Sequence, residues 1–303
     1  MSKSANKEKK PPELKASGKR KKNSQMREVW SRLKQNKKAI FAMAVLAMLL
    51  IMVIFADIIA DYDKAVDLNV VNRLKEPGKE FIFGTNAFGR DIFARIIHGA
   101  RISLLMGFGA TAISAFFGTV IGTTSAFMGG RFDNVVMRIL DTWMAIPSLL
   151  ITLAIIAGIG VGIPQMIFAL AFGGIPGFAR ILRASALSVV NQEFIESAKA
   201  LGASNTRIVF QHVIPNVISQ ALVQATMGVS GTILMGATLS FLGLGAQPPT
   251  PEWGAMLSEG LSNYQFYPHL VTIPGIFLAI TALSINIFGD ALRDAFDPKL
   301  KGR

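Results

Sequence analysis

The side chains of this 303-residue chain that could do chemistry are few and widely separated. The chain has no cysteine, which excludes disulfides, thiolate catalysis and cysteine-based metal sites. His98, His212 and His269 lie far apart in the sequence, and none has the His-Glu spacing that is typical of a metal site. The glycine-lysine motif of an ATP-binding P-loop is also missing. The sequence therefore predicts no catalytic residue, no cofactor site and no metal ligand.

The most informative segment is a polar stretch between long apolar runs. It reads Glu196-Ser-Ala-Lys-Ala-Leu-Gly202, then nine residues, then His212-Val-Ile-Pro215-Asn216. Residues 192–201 are good helix formers, and Gly202 can end that helix in the left-handed conformation. Ser204 can cap a second short helix that runs up to Pro215. Two short helices joined by a glycine corner predict a compact protrusion that suits docking and not catalysis.

The side chains of this stretch predict how it would dock. Ile195, Ala198 and Leu201 share one helix face at three-residue spacing, and Glu196 and Lys199 lie beside it. Small alanines permit close contact with another protein, and the charges fix the register. The predicted docking residues are Glu196, Ala198, Lys199, Gly202, Arg207 and Pro215.

The composition points to several membrane spans, because 51% of the residues are hydrophobic and the mean hydropathy is +0.45. A span needs about 20 apolar residues to cross the hydrocarbon. The fold class is therefore all-α, a polytopic membrane protein with six transmembrane helices. The fourth span is short and rich in glycine, and the fifth leaves open a tilt or break near Gly228 and Gly231. The six predicted spans are 39–60, 103–127, 136–157, 163–179, 217–243 and 269–290.

Charge predicts the orientation. Residues 1–38 hold 14 Lys/Arg and 3 acids, and we expect no structure up to about Gln25. If the N-terminus is cytoplasmic, 24 of the 31 basic residues lie inside and the other seven lie in 61–102. The first apolar run has no cleavage pattern and reads as a retained anchor. The predicted segments are a basic cytoplasmic tail 1–38, a first transmembrane helix 39–60, an extracytoplasmic segment 61–102, a core 103–290 with the loop 192–215, and a cytoplasmic C-terminal tail 291–303.

The basic tail could in principle bind nucleic acid, but attraction to anionic lipid explains it better, at roughly 1 kcal/mol for each basic residue near the surface. Within the spans, Gly118 and Gly122 predict a close helix approach. Asp141 and Arg138 near the start of the third span have two interpretations. They form part of a translocation path or gate, or they form an i, i+3 ion pair near the cytoplasmic interface, and we favour the ion pair.

The polar stretch resembles the EAA loop of the membrane subunits of ABC importers, whose helix docks on the ATPase. Ser197 replaces the middle alanine of that motif, and the His212-x-x-Pro215-Asn216 ending is similar to the peptide-transporter branch. The segment Phe83-Gly-Thr-Asn-Ala-Phe-Gly89-Arg90-Asp91 resembles the extracytoplasmic signature of the smaller permease of di- and oligopeptide systems, with Asn86 where aspartate is usual. The resemblance continues through Ser240–Gly245, Pro251–Gly254 and Gly289–Pro298 and covers about residues 83–300.

This resemblance implies a type I ABC importer transmembrane domain of the dipeptide/oligopeptide/nickel family. The chain would be one permease of a binding-protein-dependent system in a bacterial or archaeal cytoplasmic membrane. Its partners would be a second homologous permease, two ATPase subunits that bind ATP and Mg, and an extracytoplasmic solute-binding protein. The substrate stays open among dipeptides, longer peptides, nickel complexes and glutathione-like molecules. The alternative is an ion-coupled secondary transporter, which usually shows buried acids or matched broken helices.

Overall fold

The structure is a computed structural model that describes residues 20–296, with side chains from residue 27 onward. The described chain is helical and has no strand, which confirms the all-α fold class. A single isolated bridge joins Thr85 to Asp91. The helices are α1 (Arg20–Gln35), α2 (Lys37–Ile54), α3 (Ala56–Ile59), α4 (Tyr62–Val66), α5 (Ile92–Met128), α6 (Gly130–Met144), α7 (Ser148–Ile159), α8 (Ile163–Val190), α9 (Glu193–Ala200), α10 (Asn205–Ile208), α11 (Ile214–Phe241), α12 (Trp253–Leu261) and α13 (His269–Phe296).

Helix α1 corrects the prediction that the basic tail lacks structure up to Gln25, because it begins at Arg20. Residues 1–19 and 297–303, which hold the rest of the two predicted tails, lie outside the described residues.

Five helices of the described chain are long and apolar enough to cross a membrane. They are α2, α5, α8, α13 and the continuous run Asn205–Phe241. The predicted third span is instead a bent pair, because α6 and α7 meet at 84°. Pro147 explains the break, since it lacks an N–H and disfavours helical backbone at Ile146 before it. Counting the bent pair as one span gives the six that the sequence predicts.

The ends of the spans differ from the prediction: the first span ends at Ile54 and not at residue 60, whereas α5, α8, α13 and the run Asn205–Phe241 are longer than predicted. Helix α5 begins at Ile92 and not near residue 103, because the Asp91 side chain accepts a hydrogen bond from the N–H of Phe93 and caps it (2.9 Å). Helix α8 continues past the predicted end at residue 179 to Val190, with Pro176 inside it. The apolar run ends before Arg180 and Arg183, but the helix continues because both guanidinium groups form ion pairs with carboxylates on α6.

Helices α5 and α8 pack closely along their length. A Cβ added at Gly118 would lie 2.4 Å from the Cβ of Phe178. One added at Gly122 would lie 2.2 Å from the carbonyl oxygen of Ala179. These glycines therefore set the approach of the two helices, which confirms the packing prediction.

The helices alternate in direction, so the bundle has two distinct ends. At one end, which we call the basic end, α2 begins and α13 finishes, and Leu33 and Ala39 pack with Ala291 and Ala295. The last turns of α5 and α8 and the helices α9 and α10 also meet there. At the opposite end the last turns of α2 pack with the first turns of α5, α12 and α13 around Trp253.

Candidate functional site

A turn at Gly202 shapes the protrusion formed by residues 192–215. Helix α9 ends at Ala200, and Gly202 has φ +77°. The N–H of Gly202 donates to the carbonyl of Lys199 (2.9 Å), and the N–H of Ala203 donates to the carbonyl of Ala198 (3.1 Å). These two bonds form a Schellman cap. The predicted left-handed glycine corner is confirmed.

The second half of the protrusion differs from the prediction. Ser204 caps α10 as expected, since its hydroxyl accepts from the N–H of Arg207 (3.3 Å). Pro215 does not end the helix, however. The chain passes through a π-helical turn, Val209–Val213, and continues directly into α11. The i→i+5 hydrogen bonds of the π-helical turn shift the register of the backbone hydrogen bonds. Because the shifted register does not need the N–H that proline lacks, the helix tolerates Pro215. The protrusion is therefore rigidly joined to the span that ends at Phe241.

One side of the protrusion is buried against its own bundle. Ile195 and Ile208 are fully buried and Ala198 is 9% exposed, and they pack with Leu182 and Ala186 of α8. Ala198 therefore supports the protrusion from inside. The predicted common face of Ile195, Ala198 and Leu201 is wrong for its last member, because the helix has ended before Leu201.

The other side of the protrusion is exposed. Leu201 is 87% exposed at the corner. The Nζ of Lys199 lies 4.9 Å from the centroid of the Phe127 ring, and the Nε of Arg207 donates to the Oε1 of Gln211 (3.0 Å). The exposed predicted residues on this surface are Glu196, Lys199, Gly202, Arg207 and Pro215.

Asp141 does not pair with Arg138. It accepts a hydrogen bond from Arg180 of α8, and the pair is about half exposed. The predicted i, i+3 ion pair is therefore wrong, because α8 packs along α6 and brings a better-placed guanidinium. A second bridge of the same kind joins Arg183 to Asp133, whose Oδ1 accepts from the Nε of Arg183 and from the hydroxyl of Ser125 (2.6 Å each).

A cleft of about 300 Å³ lies between α7, α8 and α11. Its lining combines glycines and weakly polar side chains with four larger apolar ones, Leu170, Phe178, Ile181 and Met235. Arg138 is exposed on α6. The cleft is lined mainly by Ser148, Thr152, Gly173, Gly174, Gly177, Gln224, Gly228, Gly231 and Thr232.

The opposite end contains buried charges that the sequence did not pair. Arg95 has 1% of its side chain exposed, and its Nη2 donates to both carboxylate oxygens of Glu259 (3.0 Å each). The Nδ2 of Asn86 donates to Glu259 as well (3.1 Å). An aspartate at position 86 would instead place a like charge beside Glu259, so the amide suits this site. The sequence signal for this pair is Arg95 itself, a charged residue inside an apolar run, because such a charge needs a partner of opposite sign.

Among the described residues, no group of three or more His, Asp or Glu side chains could hold a metal ion. The protrusion and the cleft offer surfaces for binding and movement. Neither brings together a nucleophile and a base.

Comparison with known proteins identifies the family. The profile described as binding-protein-dependent transport system inner membrane component matches residues 118–302. The chain belongs to this family. Its first span matches the N-terminal transmembrane domain of oligopeptide transport permease C over residues 24–77.

Relatives in this family are transport permeases. The chain is 42% identical over 278 residues to the dipeptide transport system permease protein DppC of Alkalihalophilus pseudofirmus, covering 92% of this chain and 91% of that protein. It is 42% identical over 275 residues to the glutathione transport system permease protein GsiD of Escherichia coli, covering 91% of each. A solved structure of the inward-facing MetNI methionine ABC transporter matches with a TM-score of 0.49 and 22% identity, over 67% of this chain and 97% of that one.

As a member of this family, the chain is a multi-pass permease of a binding-protein-dependent transport system in the inner membrane. The matches give no support to an ion-coupled secondary transporter.

Proposed function

We propose that this chain forms half of the translocation path of an ATP-driven importer of peptides or a related small solute. A second homologous permease supplies the other half, two ATPase subunits drive the cycle, and a solute-binding protein delivers the solute. The names of two relatives support the substrate class, since a dipeptide and glutathione are both short peptides.

The observation that carries the coupling role is the exposed corner at Leu201. A large apolar side chain that is 87% exposed, with Glu196 and Lys199 nearby, is suited to insert into a partner's pocket. The buried underside ties the corner to α8, and the continuous helix ties it to α11. Because α11 also lines the cleft through Gln224, Gly228 and Gly231, a push on the corner moves one wall of the path.

The orientation follows from charge. Lys199 and Arg207 share the basic end with α1, the start of α2 and the end of α13. The bias of basic residues toward the cytoplasm supports an orientation in which this end, and both termini, lie inside the cell. ATP is cytoplasmic, so the proposed docking surface lies where the ATPases are.

Cysteine chemistry tests docking and orientation together, because the chain has no native cysteine. Leu201→Cys, in the assembled transporter, should cross-link to a cysteine in an ATPase subunit and be labelled only from the cytoplasmic side. Ser262→Cys, at the opposite end, should label only from outside and give no such cross-link. Equal labelling of both from one side would overturn the orientation, and no cross-link from Leu201→Cys at any spacer length would overturn the docking role.

We assign no ATP, Mg or catalytic site to this chain and place ATP hydrolysis in the partner subunits. The purified chain in lipid vesicles should therefore neither hydrolyse ATP nor accumulate solute, with or without an ion gradient. Activity should appear when the second permease, the ATPases and the solute-binding protein are added. Gradient-driven uptake by the chain alone would favour a secondary transporter instead.

We further propose that Asp141, paired with Arg180, lines the cytoplasmic end of the path, and that Arg138 adds charge to the same end. Asp141→Asn should change the rate of solute release while the complex still assembles. Arg138→Gln should have a smaller effect, because Arg138 does not form the bridge. Unchanged transport in both variants would remove this end of the cleft from the path.

A further inference from the structure

Helix α1 has two different faces. Val29 and Leu33 are 8% and 4% exposed and pack on α13 against Ala291 and Ala295. The other face carries exposed Arg27, Trp30, Ser31 and Lys34, which recur at three- and four-residue spacing. The helix is therefore amphipathic, and its apolar side is already covered by the protein itself.

The position of α1 is fixed by its neighbours in the chain. It ends at Gln35, and Asn36 then breaks the helix with extended backbone, φ −88° and ψ 109°. The Asn36 side chain accepts hydrogen bonds from the N–H groups of Lys38 (3.0 Å) and Ala39 (3.3 Å) and so caps the first span. A helix that ends two residues before a span begins, and that packs on the end of another span, lies at the membrane surface.

The exposed face of α1 has the composition of a lipid-headgroup contact. Trp30 is 51% exposed, and the Nζ of Lys34 lies 5.1 Å from the centroid of its ring. Tryptophan favours the boundary between headgroups and hydrocarbon, and basic residues favour anionic lipid. Arg32 is engaged with Glu28 (2.9 Å). Lys37 and Lys38 continue the exposed positive surface at the start of α2.

We propose that the exposed face of α1, together with Lys37 and Lys38, is a binding surface for anionic phospholipid headgroups. The lysines contact the phosphates, and the Trp30 ring sits at the depth of the glycerol backbone. The lipid-bound helix is held to α13 through Val29 and Leu33, so the surface belongs to the folded bundle and not to a free tail. The proposal does not depend on the transport function, because binding can be measured on the chain alone.

The first test is native mass spectrometry of the purified chain in detergent, mixed with equal amounts of phosphatidylglycerol and phosphatidylcholine. The wild type should retain phosphatidylglycerol preferentially. Lys34→Gln/Lys37→Gln/Lys38→Gln should lower that preference by about a hundredfold, since each lysine near the surface contributes roughly fivefold and the three contributions multiply. The measurement is made in micelles, so a change of topology cannot cause the loss.

Two matched variants sharpen this test. Lys34→Arg/Lys37→Arg/Lys38→Arg keeps the charge and should keep the preference. Lys64→Gln/Lys75→Gln/Lys79→Gln removes three charges at the opposite end and should leave it unchanged. If the two lysine-to-glutamine variants lose the preference for phosphatidylglycerol equally, only the net charge of the chain matters. If Lys34→Gln/Lys37→Gln/Lys38→Gln keeps the preference, the headgroups bind elsewhere. Either result overturns the proposal.

A second measurement tests the position. A nitroxide on Ser31→Cys should report headgroup depth in vesicles by its collisions with oxygen and with a water-soluble nickel reagent, and should be less mobile when phosphatidylglycerol is present. A label fully exposed to water in both lipids would overturn the proposal. So would a label that becomes immobile only when ATPase subunits are added, since the face would then bind protein.

Discussion

The core of the opposite end and the protrusion at the basic end hold their charged side chains in opposite ways. At the opposite end Arg95 is buried against Glu259, and fully buried Glu252 accepts from the hydroxyl of Ser103 and the N–H of Ala255 (2.8 Å each). At the basic end the charges of the protrusion, Glu196 and Lys199, are exposed. Apolar side chains such as Ile195 and Ile208 lie beneath them.

This difference separates a fixed region from a movable one. A buried ion is tolerated only in one geometry, because moving either partner leaves an unpaired charge in a dry place. An exposed charge keeps its water and so allows the backbone beneath it to shift. We therefore expect a substitution in the core of the opposite end to destabilise that whole region. A substitution in the protrusion should weaken binding of its partner protein without unfolding the protrusion.

The largest predicted effect comes from breaking the buried pair. Arg95→Met leaves Glu259 uncompensated and should destabilise the chain by about 3–5 kcal/mol. Arg101→Met is the control at the same end, since Arg101 pairs with the exposed Asp57 and donates to the carbonyl of Val53 (2.7 Å), and it should cost less than Arg95→Met. Thermal unfolding in detergent compares them. Similar melting temperatures for the two variants would contradict the distinction between the ends.

A double variant tests the same reasoning. Arg95→Met/Glu259→Met removes both charges and should recover part of the stability that Arg95→Met loses, because no unpaired ion remains. If the double variant melts below the single one, the pair contributes packing and not charge compensation.

The next effect concerns the corner of the protrusion. Gly202 has φ +77°, and an added Cβ would meet no heavy atom within 4 Å. Gly202→Val therefore costs about 1–3 kcal/mol through the backbone alone, without a clash. The complex should assemble less well on its ATPases and lose transport, while the bundle itself still folds.

Gly202→Asn is the matched variant, since asparagine tolerates positive φ, and should keep most of the transport. Gly158→Ala, at a helical glycine with equal open space, should be neutral or mildly stabilising. Wild-type transport and ATPase association in Gly202→Val would show that the corner conformation does not matter.

The smallest effect concerns Asp91, the cap of α5. Burial raises the pKa of the Asp91 carboxyl above its usual 3.8. The folded chain then holds a proton at pH values where the unfolded chain has lost it, so this group favours folding less as the pH rises through that interval. Asp91→Asn should keep the cap and remove this pH dependence.

Asp91→Ala should lose the cap and be about 1 kcal/mol less stable than Asp91→Asn at every pH. Melting temperatures of wild type and both variants at pH 4 and pH 7 compare them. If the wild type gained stability relative to Asp91→Asn as the pH increased, the predicted direction of the pH dependence would be wrong.

Local signals predicted local structure well. Ser204 and Gly202 each act through backbone groups within three residues, so their caps could be read from the sequence. Pro215 misled the prediction, because a proline ends a helix only where the hydrogen-bond register cannot shift. The π-helical turn before it provides that shift.

The sequence alone determined the number of apolar runs, the family and the place of the protrusion, because each of these depends on residue type and short spacing. Only the tertiary structure decided which charges meet. Arg95 and Glu259 are 164 residues apart, and Arg183 reaches Asp133 over 50. An arginine within an apolar run needs a partner of opposite charge. Which residue becomes that partner depends on helix packing, which brings together side chains that no local pattern relates.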